Sequence, residues 1–264
     1  RVHEGLDPEL FDTAIRHLFE DKTGSPIWMG GDALDEGFAR NGYPIELARQ
    51  RCKVGCHWCA LPGREYTLND VVKINFAKVF EVAFFDTVDN KSADPNVEAV
   101  WASFSEHMRK AVRCTAEGID FHLAHMKDVF PEMFLDLFCH GTIEQGRDVT
   151  DGGVEFYNMC IDGSALATVA DSFAAIDEFV ERTGQISWER LAEALRADFV
   201  GYEDVHQMLS RGPRYGGGNT RGDWWAQRVS QDFSEHVKER PTPGGRNLIP
   251  GLFSWASTIG LGQA

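Results

Sequence analysis

The 264-residue chain carries 26 Lys and Arg against 41 Asp and Glu, a net charge of −15. That balance speaks against a nucleic-acid surface, which needs a basic stripe. No apolar run approaches the roughly 18–20 residues that span a bilayer. Neither nucleic acid nor membrane is therefore expected as a partner. A composition of 43% hydrophobic and 25% charged residues is that of a globular domain. Six cysteines are too few for a disulfide scaffold. The start, Arg1-Val-His-Glu-Gly-Leu-Asp7, has no signal-peptide core, so reduced thiols and a cytoplasmic location are expected. The chain begins on Arg and ends on Gln263-Ala264 without a closing charge or cap. It reads as an internal segment of something longer.

Helical periodicity dominates. Asp7-Pro8 marks a helix start, with Leu10, Phe11, Ala14, Ile15 and Leu18 on one stripe. Gly24 to Gly31 ends that helix and leaves room for a short strand. A second helix is expected from about Asp32 to Asn41-Gly42. A third, opened by Pro44, should end near Gly55 and place Cys52 on its last turn. Thr67 to Asp70 has capping-box spacing. The segment after it (Val71, Val72, Ile74, Phe76 to Phe84) is apolar nearly all round, as a buried helix would be. A long helix follows at about Val97–Met126, then a loop region at Gly141–Gly153 and an extended stretch at Tyr157–Gly163. Three further helices are expected at about Ser164–Arg182, Ser187–Phe199 and Asp223–Glu239. Leu248–Ile259 could form a strand. Gly216 to Gly222 is glycine-rich, but no strand precedes it and no Gly-Lys-Ser/Thr ends it, so it reads as a connector.

The segment Arg51-Cys-Lys-Val-Gly-Cys-His-Trp-Cys-Ala-Leu-Pro-Gly-Arg64 carries the chemistry. Two readings fit it. The spacing of Cys52, Cys56 and Cys59 resembles the cluster loop of radical S-adenosylmethionine enzymes, in which three thiolates hold a four-iron cluster. There, however, the loop follows a strand and a Gly-Gly-Glu turn comes later. No Gly-Gly-Glu occurs here, and a helix is expected before Cys52.

The second reading takes Cys56 as a single reactive thiol on a tight loop. Gly24-Ser-Pro26, Val54-Gly-Cys56, Pro62-Gly-Arg64 and Asn75-Phe-Ala-Lys78 follow one another, the last beginning nineteen residues past Cys56. Glu144-Gln-Gly-Arg-Asp148 with Gly152-Gly153, Ala167 to Ile176, and Pro213-Arg-Tyr-Gly216 continue the series. In this order and spacing the chain resembles the glycyl radical enzymes, the superfamily of pyruvate formate-lyase and the glycerol and choline lyases. The resemblance implies a helix-rich α/β fold, part of a ten-stranded α/β barrel with the cysteine loop inside it. Residues 1–264 would be a single truncated pyruvate formate-lyase-like segment. Cys56 would be the thiyl residue, with His57, Trp58, Cys59 and Gln263 in the substrate pocket and no metal.

The resemblance also implies no bound cofactor; the glycyl radical would sit in a C-terminal domain absent from this chain. The implied partners are a small-molecule substrate and a separate radical S-adenosylmethionine activating enzyme, with a homodimer as one assembly option. The segment alone should be inactive. Two departures matter. The family's lyases carry an acid–base Glu two residues after the cysteine, where this chain has Trp58. The radical loop, Arg-Val-x-Gly-aromatic, occurs nowhere. Radical C–C chemistry (lyase or fumarate-addition type) on a small organic acid or aromatic substrate is then favoured over dehydration. An iron–sulfur protein using the three cysteines stays open, as does a catalytically degenerate relative or helical interaction domain. The scattered Cys114, Cys139 and Cys160 should be small buried hydrophobes. Arg49, Arg51, Arg64 and Arg246 are candidates for carboxylate contacts, with surface placement as the default.

Overall fold

In a computed structural model of the protein, residues 2–21, 28–54, 58–68 and 72–253 are described. In chain order they form α1 (Pro8–Asp21), α2 (Asp32–Arg40), α3 (Ile45–Ala48), β1 (Cys52–Val54), β2 (Trp58–Ala60), β3 (Glu65–Leu68) and β4 (Lys73–Asn75). Helices α4 (Phe76–Val88), α5 (Val97–Val129), α6 (Met133–Asp136) and α7 (Thr142–Gln145) follow, then β5 (Phe156–Ser164). The chain continues through α8 (Leu166–Ile176), α9 (Trp188–Arg196), α10 (Glu203–Leu209), α11 (Arg221–Lys238) and β6 (Asn247–Leu252). The fold is a helix-rich α/β arrangement. No helix among the described residues is long and apolar enough to cross a membrane.

Local chemistry sets most boundaries. Asp7 Oδ1 accepts the Glu9 N–H at 2.8 Å and starts α1. Ser187 accepts from the Arg190 N–H and starts α9, and Thr220 and Asp223 cap each other's backbone at α11. Ala165 at φ 70° turns the chain out of β5 before α8 begins. Past Ile176, α8 widens into a π turn over Asp177–Arg182.

Three expectations are corrected here. The third helix stops at Ala48, because Arg51 turns inward and its guanidinium donates to the carbonyls of Ala48, Gly30 and Gly31. Cys52 consequently lies on an exposed strand. The apolar segment after residue 70 is a strand, Lys73–Asn75, before it is a helix. Asn75 Oδ1 accepts the Lys78 N–H and fixes the helix start at Phe76. Lastly, α10 and the short helices α6 and α7 lie in stretches expected to be loop or given no element.

The chain divides into two compact units. The first holds residues 1–67 and 126–157. Its centre is Tyr43, which stacks on Phe156 at 4.5 Å and meets Phe38 edge-on at 4.9 Å. The Tyr43 hydroxyl donates to Glu65 at 2.5 Å, and the other Glu65 oxygen accepts the Leu61 N–H. Beside β3, Phe156 N–H donates to the Arg64 carbonyl at 3.0 Å.

The second unit holds residues 68–125 and 158–264. One face of α5 (Val100, Phe104, Met108, Val112, Ala116, Ile119, Leu123) is buried, as its spacing predicts. Phe104 meets Phe173 of α8 edge-on, and Phe173 stacks on Trp225 of α11 at 4.5 Å. In this unit β5 is flanked by β4 and β6, both parallel to it. Gly163 of β5 faces Phe76, whose ring packs edge-on against Phe233. That side of the sheet is therefore the helix-covered side.

Candidate active site

The first unit holds the cysteine segment. Strands β1 and β2 pair antiparallel, with Cys52 opposite Ala60, Lys53 opposite Cys59 and Val54 opposite Trp58. Gly55, Cys56 and His57 join the two strands and lie outside the described residues, as does Gln263. Trp58 is half-buried. Its indole N–H is shielded and meets no acceptor among the described residues, which suits a ring packed as a wedge. Cys59 is 7% exposed, and its thiol lies 3.1 Å from the Met29 sulfur.

The hairpin register bears on an iron–sulfur cluster. Cys59 shares a face with Lys53 and so points opposite to Cys52. Cys52 is exposed and Cys59 buried. Three thiolates converging on one cluster do not fit this geometry.

The candidate arginines are engaged elsewhere. Arg51 is buried, against the surface default, and pairs with Asp35. Arg64 pairs with Glu155 at 2.7 Å, and Arg246 with Asp120 at 2.6 Å. Arg49 borders a shallow recess with His3, Asp32 and Asp35. Of the scattered cysteines, Cys160 is buried as expected, but Cys114 is exposed and Cys139 intermediate. Burial, and then the nearby Asp136, pushes the Cys139 thiol upward in pKa.

Carboxyls also cluster in this unit. Asp136 accepts the Val149 N–H at 2.9 Å, and Asp148 accepts both the N–H and the hydroxyl of Thr150. Burial, and then the charge of Asp148, raises Asp136 above the usual carboxylate range. Burial also opposes ionisation of Asp148, but its hydrogen bonds, led by those from Thr150, outweigh that and hold it low.

The second unit presents a buried polar face that the apolar pattern alone does not announce. Along β5, Asn158, Cys160, Asp162 and Ser164 alternate with Met159, Ile161 and Gly163. The polar set lies on the side away from Phe76, and every member is buried. Pairing carries the pattern sideways. Asn158 meets Asn247 of β6, Asp162 meets both Lys73 of β4 and Gly251 of β6, and Ser164 meets Asn75. Asn247 donates to Asn158 at 3.0 Å, and Lys73 Nζ donates to Asp162 Oδ2 at 3.3 Å. Period-two polar residues were the available signal.

The pyruvate formate lyase-like family model matches residues 1–262. A curated relative, (2S)-3-sulfopropanediol dehydratase of Klebsiella oxytoca, is 25% identical over 99% of this chain and 33% of its own length. Trans-4-hydroxy-L-proline dehydratase of Clostridioides difficile is 25% identical over 90% of this chain and 32% of its own length. A solved structure concerning 1,2-propanediol dehydration in Roseburia inulinivorans superposes with a TM-score of 0.84 at 21% identity. It covers 100% of this chain and 35% of the solved one, which shows a shared fold. The chain thus spans about a third of the length of the curated relatives it matches. With the family model covering residues 1–262, this chain belongs to the pyruvate formate lyase-like family.

Proposed function

We propose that this chain is the thiyl-bearing part of a glycyl radical enzyme that breaks or forms a bond of a small organic acid or aromatic compound by radical chemistry. The observation that carries this reading is the hairpin. Gly55-Cys56-His57 connects two strands that pair antiparallel, which supports a role for Cys56 in which the sulfur needs its position fixed to within about an ångström. The rest of the protein would supply the glycyl radical, which serves as the stored one-electron oxidant once a separate activating enzyme has installed it. Cys56 gives its S–H hydrogen atom to that radical, and the resulting thiyl takes a hydrogen from a substrate C–H. The thiol is thereby restored and the odd electron left on substrate carbon. A ten-stranded barrel, of which β4, β5 and β6 would be three strands, keeps water from these steps.

Residue 58 narrows the reaction. An indole N–H can donate a hydrogen bond but is neither acid nor base enough to hand a proton to a leaving hydroxyl, so carbon–carbon cleavage or addition is favoured over a dehydration that depends on this position. Both curated relatives above are named as dehydratases, and this chain departs from the family's Glu at that point. The test uses the full-length protein, activated without oxygen. A doublet electron paramagnetic resonance signal is expected, with Cys56→Ala keeping the signal and losing turnover. Turnover that survives in Cys56→Ala refutes the assignment, and diol dehydration at ordinary rates refutes the role given to Trp58.

A further inference from the structure

The polar side of β4, β5 and β6 holds a buried ion pair that packing does not require. Asp162 is 2% exposed. Among the described residues two side-chain donors reach its carboxylate, Lys73 Nζ at 3.3 Å and the Cys160 thiol at 3.1 Å. The Lys73 bond is long for a charged donor and acceptor, and a buried ion pair is a poor source of stability, since apolar replacements often do as well. The fold nevertheless makes room for it. A Cβ at Gly251 would stand 2.1 Å from Asp162 Oδ1 and 2.9 Å from the Cys160 sulfur, so only glycine leaves the carboxylate its place.

The pair is also asymmetric. The Lys73 side chain keeps 17% of its surface accessible against 2% for Asp162. Asp162 is closed in by Gly251 and Cys160, and the ammonium lies over the Phe253 ring at 5.0 Å. A ligand arriving on this side of the sheet meets the cation first. In a barrel the side away from the helices is the interior.

We infer that Lys73 recognises the anionic group of the substrate, a carboxylate or sulfonate, and that Asp162 is a positioning residue that holds Lys73 in place. This deepens the reading of the chain as part of a barrel enzyme and rests on it. The chemistry is a charge-assisted hydrogen bond from the ammonium to one anionic oxygen. It makes an anionic group on a small molecule the property that selects it.

Two probes that differ by a single group test this. (2S)-3-Sulfopropanediol carries a sulfonate where 1,2-propanediol carries hydrogen. Trans-4-hydroxy-L-proline serves as a carboxylate probe. Binding is measured by titration calorimetry on the full-length protein before any radical is installed, so failure here is separate from failure of the radical assignment. The wild type should bind at least one of the sulfonate and carboxylate probes at least about tenfold more tightly than propanediol, the effect of one charge-assisted bond. Lys73→Met should erase that preference and leave propanediol binding within about twofold, while Lys73→Arg keeps most of it. Asp162→Asn should fall between. The ratio of the two affinities is the readout, because a general loss of stability does not move it. Should Lys73→Met not fold, Lys73→Gln is read in the same way. A wild type without anionic preference, or a preference that survives loss of the Lys73 charge, overturns the inference.

Discussion

Replacing Gly163 by alanine should wedge the sheet away from the first turn of α4. A Cβ at that position would stand 1.9 Å from Cζ of Phe76 and 2.6 and 2.7 Å from its two Cε atoms. Carbon atoms in contact prefer about 3.5–4.0 Å, so ring or strand would have to withdraw by about 2 Å. Neither is free to do so. Phe76 is fully buried with its ring 5.0 Å from that of Phe233, and Gly163 is paired with Ile74 on one side and Leu252 on the other. Overpacking of this kind costs about 1–3 kcal/mol, and an overlap this large belongs at the upper end, about 3 kcal/mol. Phe76→Leu removes the far end of the ring and alone should cost less than the roughly 3–5 kcal/mol of a Phe→Ala truncation. Combined, the two changes should cost less than their sum, because leucine vacates the space that the new methyl needs. Urea unfolding followed by tryptophan fluorescence measures all three variants. A Gly163→Ala cost below about 0.5 kcal/mol, or strict additivity in the double variant, would refute the reasoning.

Two further perturbations bear on buried charge. Asp136 has its pKa raised by folding, so the native state holds its proton where the unfolded chain has released it. Its contribution to stability is complete below the ordinary Asp value of about 3.9 and is lost as pH rises through the higher native value. Asp136→Asn should flatten the fall in melting temperature just above pH 4, and an unchanged slope there would rule this out. Asp35→Ala leaves the buried Arg51 guanidinium without its carboxylate, which should cost about 3–5 kcal/mol. Replacing both by apolar residues should recover most of that loss, and circular dichroism melts of the single and double variants compare them.

Where a short-range rule decides the backbone, the sequence was legible. Asp7 and Ser187 each start the helix expected of them, and the 3.6-residue stripe of α5 is the buried one; α11 begins at Arg221, two residues before the Asp223 expected, because Thr220 caps it. β5 could be read as extended because its apolar residues form no stripe. The failures have a common physical origin in distant partners. Nothing near Arg51 announces that Asp35 and two glycine carbonyls draw it inside and end α3 early. In the same way the pairing of Lys73, Ile74 and Asn75 with residues 162–164 makes a strand of a segment whose composition suits a helix. The role given to the cysteine segment rests on resemblance, since Gly55, Cys56 and His57 lie outside the described residues. The polar side of β5 was not legible, since its meaning depends on which face the helices cover.

The spacing of the three parallel strands also has a consequence during synthesis. Lys73 bonds to Asp162 and Asn158 to Asn247, each 89 residues along the chain. At about 5–20 residues per second, β4 leaves the ribosome roughly 4–18 s before β5 exists, and β5 then waits as long for β6. Through that interval α4 and α5 can form from local bonds alone, but each strand is an open edge able to pair with a neighbouring nascent chain. Charge and proline are the usual protections of such edges. Each outer strand carries one of them, Lys73 in β4 and Pro250 in β6. The lysine would then act twice, guarding a strand against the wrong partner before it meets the right one.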